Sequence, residues 1–211
     1  MANTNGAFGL RPIGVVGQAA NTTGATEYRI ASGNTNTIFQ GSPVIPLSTG
    51  FIDKVGAATG GTVGLVGVFW GCEYVSSTSG EKIFSNNWPG YGADSNHPVK
   101  AFVYDNPMQT FVICSDASLT SAATAQGNVF ANANFADGAA GSSTTGISSA
   151  KLGVSTINTT ANLNLRIMGL QDDPDNSDFT AAGIPVIVRL NNSFNSANGA
   201  IAGGTVSTTG V

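Results

Sequence analysis

Charged residues are scarce in this sequence of 211 residues. Only 9% are Asp, Glu, Lys or Arg, against about 25% in an average soluble domain. The eight Lys and Arg residues are scattered singly, so they cannot form the basic stripe that follows a nucleic-acid backbone. Together with a net charge of −4, this distribution argues against a nucleic-acid partner.

Histidine and cysteine are almost absent, which leaves little material for a metal site or a nucleophile. His97 is the one histidine. A Ser-His-Asp arrangement would have to combine it with Asp94 or Asp105, and no Gly-x-Ser-x-Gly motif is present. We therefore expect a structural or surface histidine, no cofactor and no enzyme activity. Cys72 and Cys114 lie far apart in sequence, and we expect both to be reduced and buried.

Long hydrophobic runs are also missing. The most apolar stretch, GGTVGLVGVFWGCEYV from Gly60, is shorter than the about 20 apolar residues of a spanning helix. It lacks the Lys-Ser/Thr pair of a phosphate loop. We predict a buried strand region in which Val66, Val68 and Trp70 share one face, while the glycines let a neighbouring backbone come close. The N-terminal sequence MANTNGAFGLRPIG lacks a signal-peptide pattern, so we expect a protein assembled in the cytoplasm without a membrane partner.

Glycine, asparagine, serine and threonine are abundant instead, at roughly two fifths of the chain, well above ordinary usage. With 41% hydrophobic residues there is enough to bury a core. Short strand-like runs separated by turn residues predict an all-β fold, a β-sandwich or a β-barrel or jelly-roll-like core with long loops. We predict an extended N-terminal arm over residues 1–24, a core domain over residues 25–195 and a Gly/Ser/Thr-rich tail over residues 196–211.

Three local patterns give specific predictions. VKAFVYDNP and QTFVICSD predict a hairpin joined by Asn106-Pro107-Met108. DASLTSAATAQG predicts the one short helix, capped by Asp116 and ended by Gly127. The two prolines in NTIFQGSPVIPLS suit an edge strand or a bulge.

The predicted arm has no periodicity, yet it is too apolar for a disordered tail. We expect it to dock on a partner through Phe8, Leu10, Arg11, Ile13 and Val15. The alternative is an ordinary N-terminal strand of the core.

The segment QDDPDNSD concentrates four acids, Asp172, Asp173, Asp175 and Asp178. Oxygen-rich loops of this kind can bind calcium, but the glycine and the distal Glu of the calcium-loop pattern are missing. We therefore predict a solvated turn bent by Pro174, without a metal.

Several segments, in this order and spacing, resemble virion proteins of tailed bacteriophages that decorate or cement the head. They are NGAFGLRPIG, YRIAS followed by IFQGSPV, FVYDNPMQTFVI, and LRIMGLQDDPDN followed by VIVRLNN. The resemblance covers most of the chain from Asn5 to Asn195. It implies a β-rich accessory protein without catalytic residues on the outer surface of a shell built by a major capsid protein, often as a homotrimer, where it clamps neighbouring subunits.

Two other classes stay open at this point. A tail or fibre component would also suit the composition, although repeats and a coiled-coil segment are missing from the sequence. A carbohydrate-binding sandwich could use Trp88 and Tyr91 as a stacking platform for sugars.

Overall fold

The computed structural model describes residues 3–17, 24–56 and 64–195, together with the backbone of residues 200–201 and 205–206. Residues 18–23 of the predicted arm and most of the predicted tail lie outside the described residues. Within the described ranges the fold is all-β, as predicted, with a single short α-helix, α1 (Ala122–Gly127). The strands in chain order are β1 (Arg11–Val15), β2 (Thr26–Ile30), β3 (Pro43–Pro46), β4 (Ile52–Lys54), β5 (Gly67–Val75), β6 (Lys82–Ser85), β7 (Val99–Tyr104), β8 (Gln109–Cys114), β9 (Asn132–Ala133), β10 (Phe135–Ala136), β11 (Lys151–Leu152), β12 (Leu165–Leu170), β13 (Pro185–Leu190), β14 (Ala200–Ile201) and β15 (Thr205–Val206).

A five-stranded antiparallel sheet has the order β1-β8-β13-β12-β9. β12 and β13 are consecutive in this sheet and form a hairpin, with Leu165 opposite Leu190 and Leu170 opposite Val186. β1 lies at one end of the sheet and pairs with β8. The middle part of the predicted arm, Arg11–Val15, is therefore a strand of the sheet, which is the alternative that the sequence left open.

A six-stranded antiparallel sheet has the order β2-β7-β5-β3-β4, with β6 added to the far part of β5. β5 is the longest strand described and pairs with three others, β3, β6 and β7. Smaller two-stranded pairs form between β10 and β11 and between β14 and β15.

Two hydrophobic cores lie on the two faces of the six-stranded sheet. The first lies between them, because it joins Phe111 and Val188 of the five-stranded sheet to Ile45 and Val68 of the six-stranded sheet. The second lies on the other face of the six-stranded sheet, where Trp88 and other loop residues cover it. The architecture is thus a sandwich whose six-stranded sheet is covered on both faces.

The region around β5 is a buried strand, as predicted, but its faces differ from the prediction. Val66 and Phe69 lie in the second core, whereas Val68 lies in the first. The grouping of Val66 with Val68 is therefore wrong. Val66 precedes the strand and donates its N–H to the Val44 carbonyl at 2.9 Å. A register shift between Phe69 and Gly71 then inserts Trp70 as a bulge, and bulges change which residues face the core.

The predicted hairpin between β7 and β8 is wrong, although both strands exist. β7 pairs with β2 and β5 in one sheet, and β8 pairs with β1 and β13 in the other. The Asn106-Pro107-Met108 turn therefore carries the chain from one layer of the sandwich to the other. Within the turn, the Asn106 side chain accepts from the Met108 N–H at 2.9 Å.

Two further local predictions need correction. Ser121, and not Asp116, caps α1 by accepting from the Thr124 N–H at 3.2 Å. Asp116 instead accepts from the Val154 N–H at 2.8 Å. β3 is not an edge strand, because it pairs with both β4 and β5. Each of its prolines lies at an end of the strand, where it faces only one of those neighbours.

Both cysteines are reduced and buried, as predicted. None of the described helices is long and apolar enough to cross a membrane.

Candidate interaction surface

The first described residues are fixed by the loop between β12 and β13. The Asn176 side-chain oxygen accepts from the backbone N–H groups of Thr4 and Asn5 at 2.8 and 2.7 Å. Asn3 and Asp178 bond reciprocally, each at 3.0 Å. The acidic loop, residues 172–178 between β12 and β13, and residues 3–5 are therefore held together by hydrogen bonds. Sequence reasoning missed this link, because the partners are more than 170 residues apart and no local pattern joins them.

The predicted contact residues divide into two groups. Leu10 is fully buried in the first core, and Val15 is also buried. Neither is available to a partner, because the pairing of β1 with β8 turns them towards this protein's own interior. Arg11 and Ile13 are exposed, and Phe8 is partly buried.

Three exposed apolar residues at the β1 end of the five-stranded sheet, Ile13, Val16 and Met108, are here called the edge patch. These side chains are 45%, 37% and 40% exposed. The Val16 N–H donates to the Met108 carbonyl at 2.9 Å, which keeps the two residues adjacent. Next to the patch, the Arg11 guanidinium lies over the Phe8 ring at 4.8 Å from its centroid, a cation–π contact. A second cation touches the edge patch itself, since the Arg189 guanidinium lies 3.6 Å from the Met108 sulfur.

The outer face of the five-stranded sheet carries a second charged feature, an arginine pair. Arg166 lies directly opposite Arg189, and the residues beside them in sequence belong to the first core. Since side chains alternate along a strand, both arginines lie on the face away from that core. Burial and, secondarily, the charge of Arg166 lower the pKa of Arg189 from its ordinary value.

No carboxylate of the described residues forms an ion pair with either arginine. The ion pairs of the described residues join Lys82 to Glu73, His97 to Asp94, Lys100 to Glu27 and Lys151 to Asp137. Arg166 instead donates to the Asn132 side chain at 3.1 Å, and Arg189 contacts the Met108 sulfur at 3.6 Å. The Nε of Arg189 is buried without a hydrogen-bond partner in the described structure.

The acidic loop is held by its own side chains. Asp173 accepts from the Asn176 side chain at 2.8 Å and from the Asp175 N–H at 3.1 Å. Asp178 accepts from Thr180 at 2.6 and 3.0 Å, and these bonds lower the pKa of Asp178. Across the described ranges, no three His, Cys, Asp or Glu side chains are arranged to hold a metal ion. Asp172 and Asp175 remain exposed.

A cleft of about 290 Å³ lies between β2, the β3–β4 turn and the segment after β13. At its rim the Tyr28 hydroxyl donates to Asp105 at 2.8 Å and accepts from the Asn195 amide at 3.1 Å. Thr26 also donates to Asp105 at 2.8 Å. Burial, followed by Asp105, raises the pKa of Tyr28, whereas the Asn195 hydrogen bond opposes that rise. These hydrogen bonds join Tyr28, Asp105 and Asn195 to one another, and they tie the segment after β13 to β2.

Two candidate arrangements from the sequence do not form. Trp88 is fully buried, where its ring nitrogen donates to the Asn34 carbonyl at 3.2 Å, so it cannot form a sugar platform with the exposed Tyr91. His97 lies on an exposed loop 3.0 Å from Asp94. In the part of the chain described, no serine or cysteine is hydrogen-bonded to His97.

Comparison with known proteins returns no match. No protein-family model, curated protein or solved structure is significantly similar to this chain.

Proposed function

We propose that this chain is a structural protein of a tailed-bacteriophage virion that binds the outer surface of the head. It cements neighbouring subunits of the major capsid protein, acts as a homotrimer on the shell and assembles there in the host cytoplasm. Its role is binding and not catalysis. The ordered set of sequence segments that resembles head-decorating proteins is the source of this proposal.

The edge patch is the structural observation that carries the proposal. Exposed Ile, Val and Met side chains beside an arginine have the composition of a protein interface, in which Met and Arg are enriched and Lys and Asp are depleted. β1 also lies at the end of its sheet, and no other strand of the described residues pairs with its outer edge. An edge of this kind can accept a strand from a partner. Ile13 belongs to the first of the segments that carry the resemblance, and Met108 belongs to a later one.

Binding to heads that lack the protein tests the proposal. Truncation of the first residues is unsuitable, because Leu10 and Val15 belong to the core. Ile13→Asp is a cleaner change, since Ile13 is exposed. Ile147→Asp is the matched control, because Ile147 is an exposed isoleucine in a loop outside the edge patch.

We expect wild-type protein and Ile147→Asp to co-sediment with purified heads, and Ile13→Asp to lose at least about tenfold in affinity, as for a residue at the centre of an interface. Failure of the wild-type protein to bind any head lacking it would contradict the proposed function. Equal binding of all three proteins would show that the edge patch is not the surface that binds the head.

A further inference from the structure

The β12–β13 hairpin has opposite charges at its two ends. The arginine pair, Arg166 and Arg189, lies at the open end, since Arg166 is near the start of β12 and Arg189 near the end of β13. The acidic loop, residues 172–178, closes the other end. From Arg166 to Leu170 the strand extends about 13 Å at its usual rise per residue, which already exceeds the length of a salt bridge. The two ends of one hairpin therefore do not neutralise each other.

The arginine pair has an electrostatic cost that no carboxylate of the described residues offsets. Like charges directly opposite each other in a sheet are destabilising. All twelve Asp and Glu residues lie in the described ranges, and none forms an ion pair with either arginine. A buried Nε without a partner adds to this cost. Carboxylates supplied from outside would relieve the repulsion between the two guanidinium groups, because a guanidinium binds a carboxylate in a bidentate geometry.

The acidic loop has matching features. The carboxylates of Asp173 and Asp178 are engaged in holding the loop, but those of Asp172 and Asp175 accept no hydrogen bond from the described residues and are exposed. The loop is nevertheless ordered by the Asn176 and Asp178 bonds to residues 3–5. It therefore presents two exposed carboxylates on a fixed backbone.

We propose that copies of this chain associate head to tail, with Asp172 and Asp175 of one copy bound to the arginine pair of the next. A second copy is charge-complementary to the first, since the chain itself carries both the acidic and the basic half of the contact. A head-to-tail contact is heterologous and closes into a ring or extends, according to the rotation between copies. This inference specifies the self-association that the proposed function includes, but its test needs the purified full-length chain alone.

Charge reversal provides the test. One variant carries Arg166→Glu and Arg189→Glu, and a second carries Asp172→Arg and Asp175→Arg. The control carries Arg29→Glu and Lys54→Glu, the same charge change on cations of the six-stranded sheet that form no ion pair. A neutral variant, Arg166→Gln with Arg189→Gln, replaces the first if Glu prevents folding. Sedimentation is measured over a range of concentrations at low and at high ionic strength.

We expect the wild type and the control to associate at low ionic strength and to dissociate as salt rises. Each reversed variant should be at least about tenfold weaker in self-association, as for the loss of close charge pairs in an interface. An equimolar mixture of the two reversed variants should regain association between unlike copies, because each contact between the two variants again joins opposite charges, although a closed ring of three would keep one like-charge contact.

A monomeric wild type at low ionic strength would overturn this inference without touching the binding of the protein to heads. Unchanged association of both reversed variants would overturn it as well, and so would a mixture that stays dissociated.

Discussion

Gly67 lies where β5 crosses closest to the end of β7. A Cβ atom at this position would lie 2.7 Å from the Val103 side chain and 2.9 Å from the Asp105 Cα, and it would overlap the Tyr104 carbonyl oxygen. The neighbouring atoms are mostly backbone, so they cannot move aside cheaply. The close approach expected from the glycine spacing is therefore present at this residue.

Gly67→Val should lower the free energy of unfolding by about 1–3 kcal/mol, the usual cost of overpacking, or by more because backbone is displaced. Gly169→Val is the matched control, since Gly169 also lies in a strand but has open space around its Cβ position. Urea titration of both variants measures the difference. A Gly67→Val protein as stable as Gly169→Val would contradict the packing explanation.

Cys72 has a raised pKa because it is buried in the second core. Burial raises the pKa of its thiol from 9.0 to about 12. Between these values the folded protein keeps the thiol proton, whereas the unfolded chain releases it. The free energy of unfolding should therefore fall as the pH rises through this window, and it should not respond to Cys72 below it.

Cys72→Ala should flatten that alkaline slope while lowering stability at neutral pH by the loss of packing. Urea titrations of both proteins at several pH values between neutrality and the upper end of the window measure this. Identical slopes in wild type and variant would show that Cys72 does not hold its proton in the folded state.

At the level of the strands, the sequence predicts the position of a strand but not its partners, because the position depends on local residues and the pairing on distant ones. Alternation in VKAFVY and QTFVIC places both β7 and β8 correctly, because each strand needs only its own period. The predicted pairing of β7 with β8 is wrong. β7 pairs instead with the strand that contains Val68, and β8 pairs with the strand that contains Arg189, and both partners are distant in sequence. The arginine pair is similar, because alternation gives the face of each arginine and only the register of β12 on β13 makes them neighbours.

The link between the acidic loop and residues 3–5 makes a prediction at the level of these segments. Asn176→Ala should leave the Thr4 and Asn5 amides without their acceptor, so their hydrogen exchange should accelerate. The β1 amides should stay protected, because β8 holds that strand independently. Asp175→Asn is the control, as the Asp175 side chain accepts no hydrogen bond from the described residues. If Thr4 and Asn5 exchange equally fast in both variants, Asn176 does not fix the start of the chain.

For the molecule as a whole, the structure of the acidic loop predicts that calcium does not change the melting temperature. Asp173 and Asp178 are occupied by hydrogen bonds within the loop, so they are poorly placed to coordinate an ion. The melting temperature should be the same in calcium and in chelator. A rise of several degrees in micromolar calcium would contradict this, because a ligand that binds only the folded state must raise the midpoint.

The most direct measurement of the central claim is a pair of density maps of phage heads, one from particles containing this protein and one from particles lacking it. We expect additional density on the outer surface of the shell, fitted by the two-sheet sandwich with the edge patch against the major capsid protein. Identical outer surfaces in the two maps, or additional density confined to the tail, would contradict it.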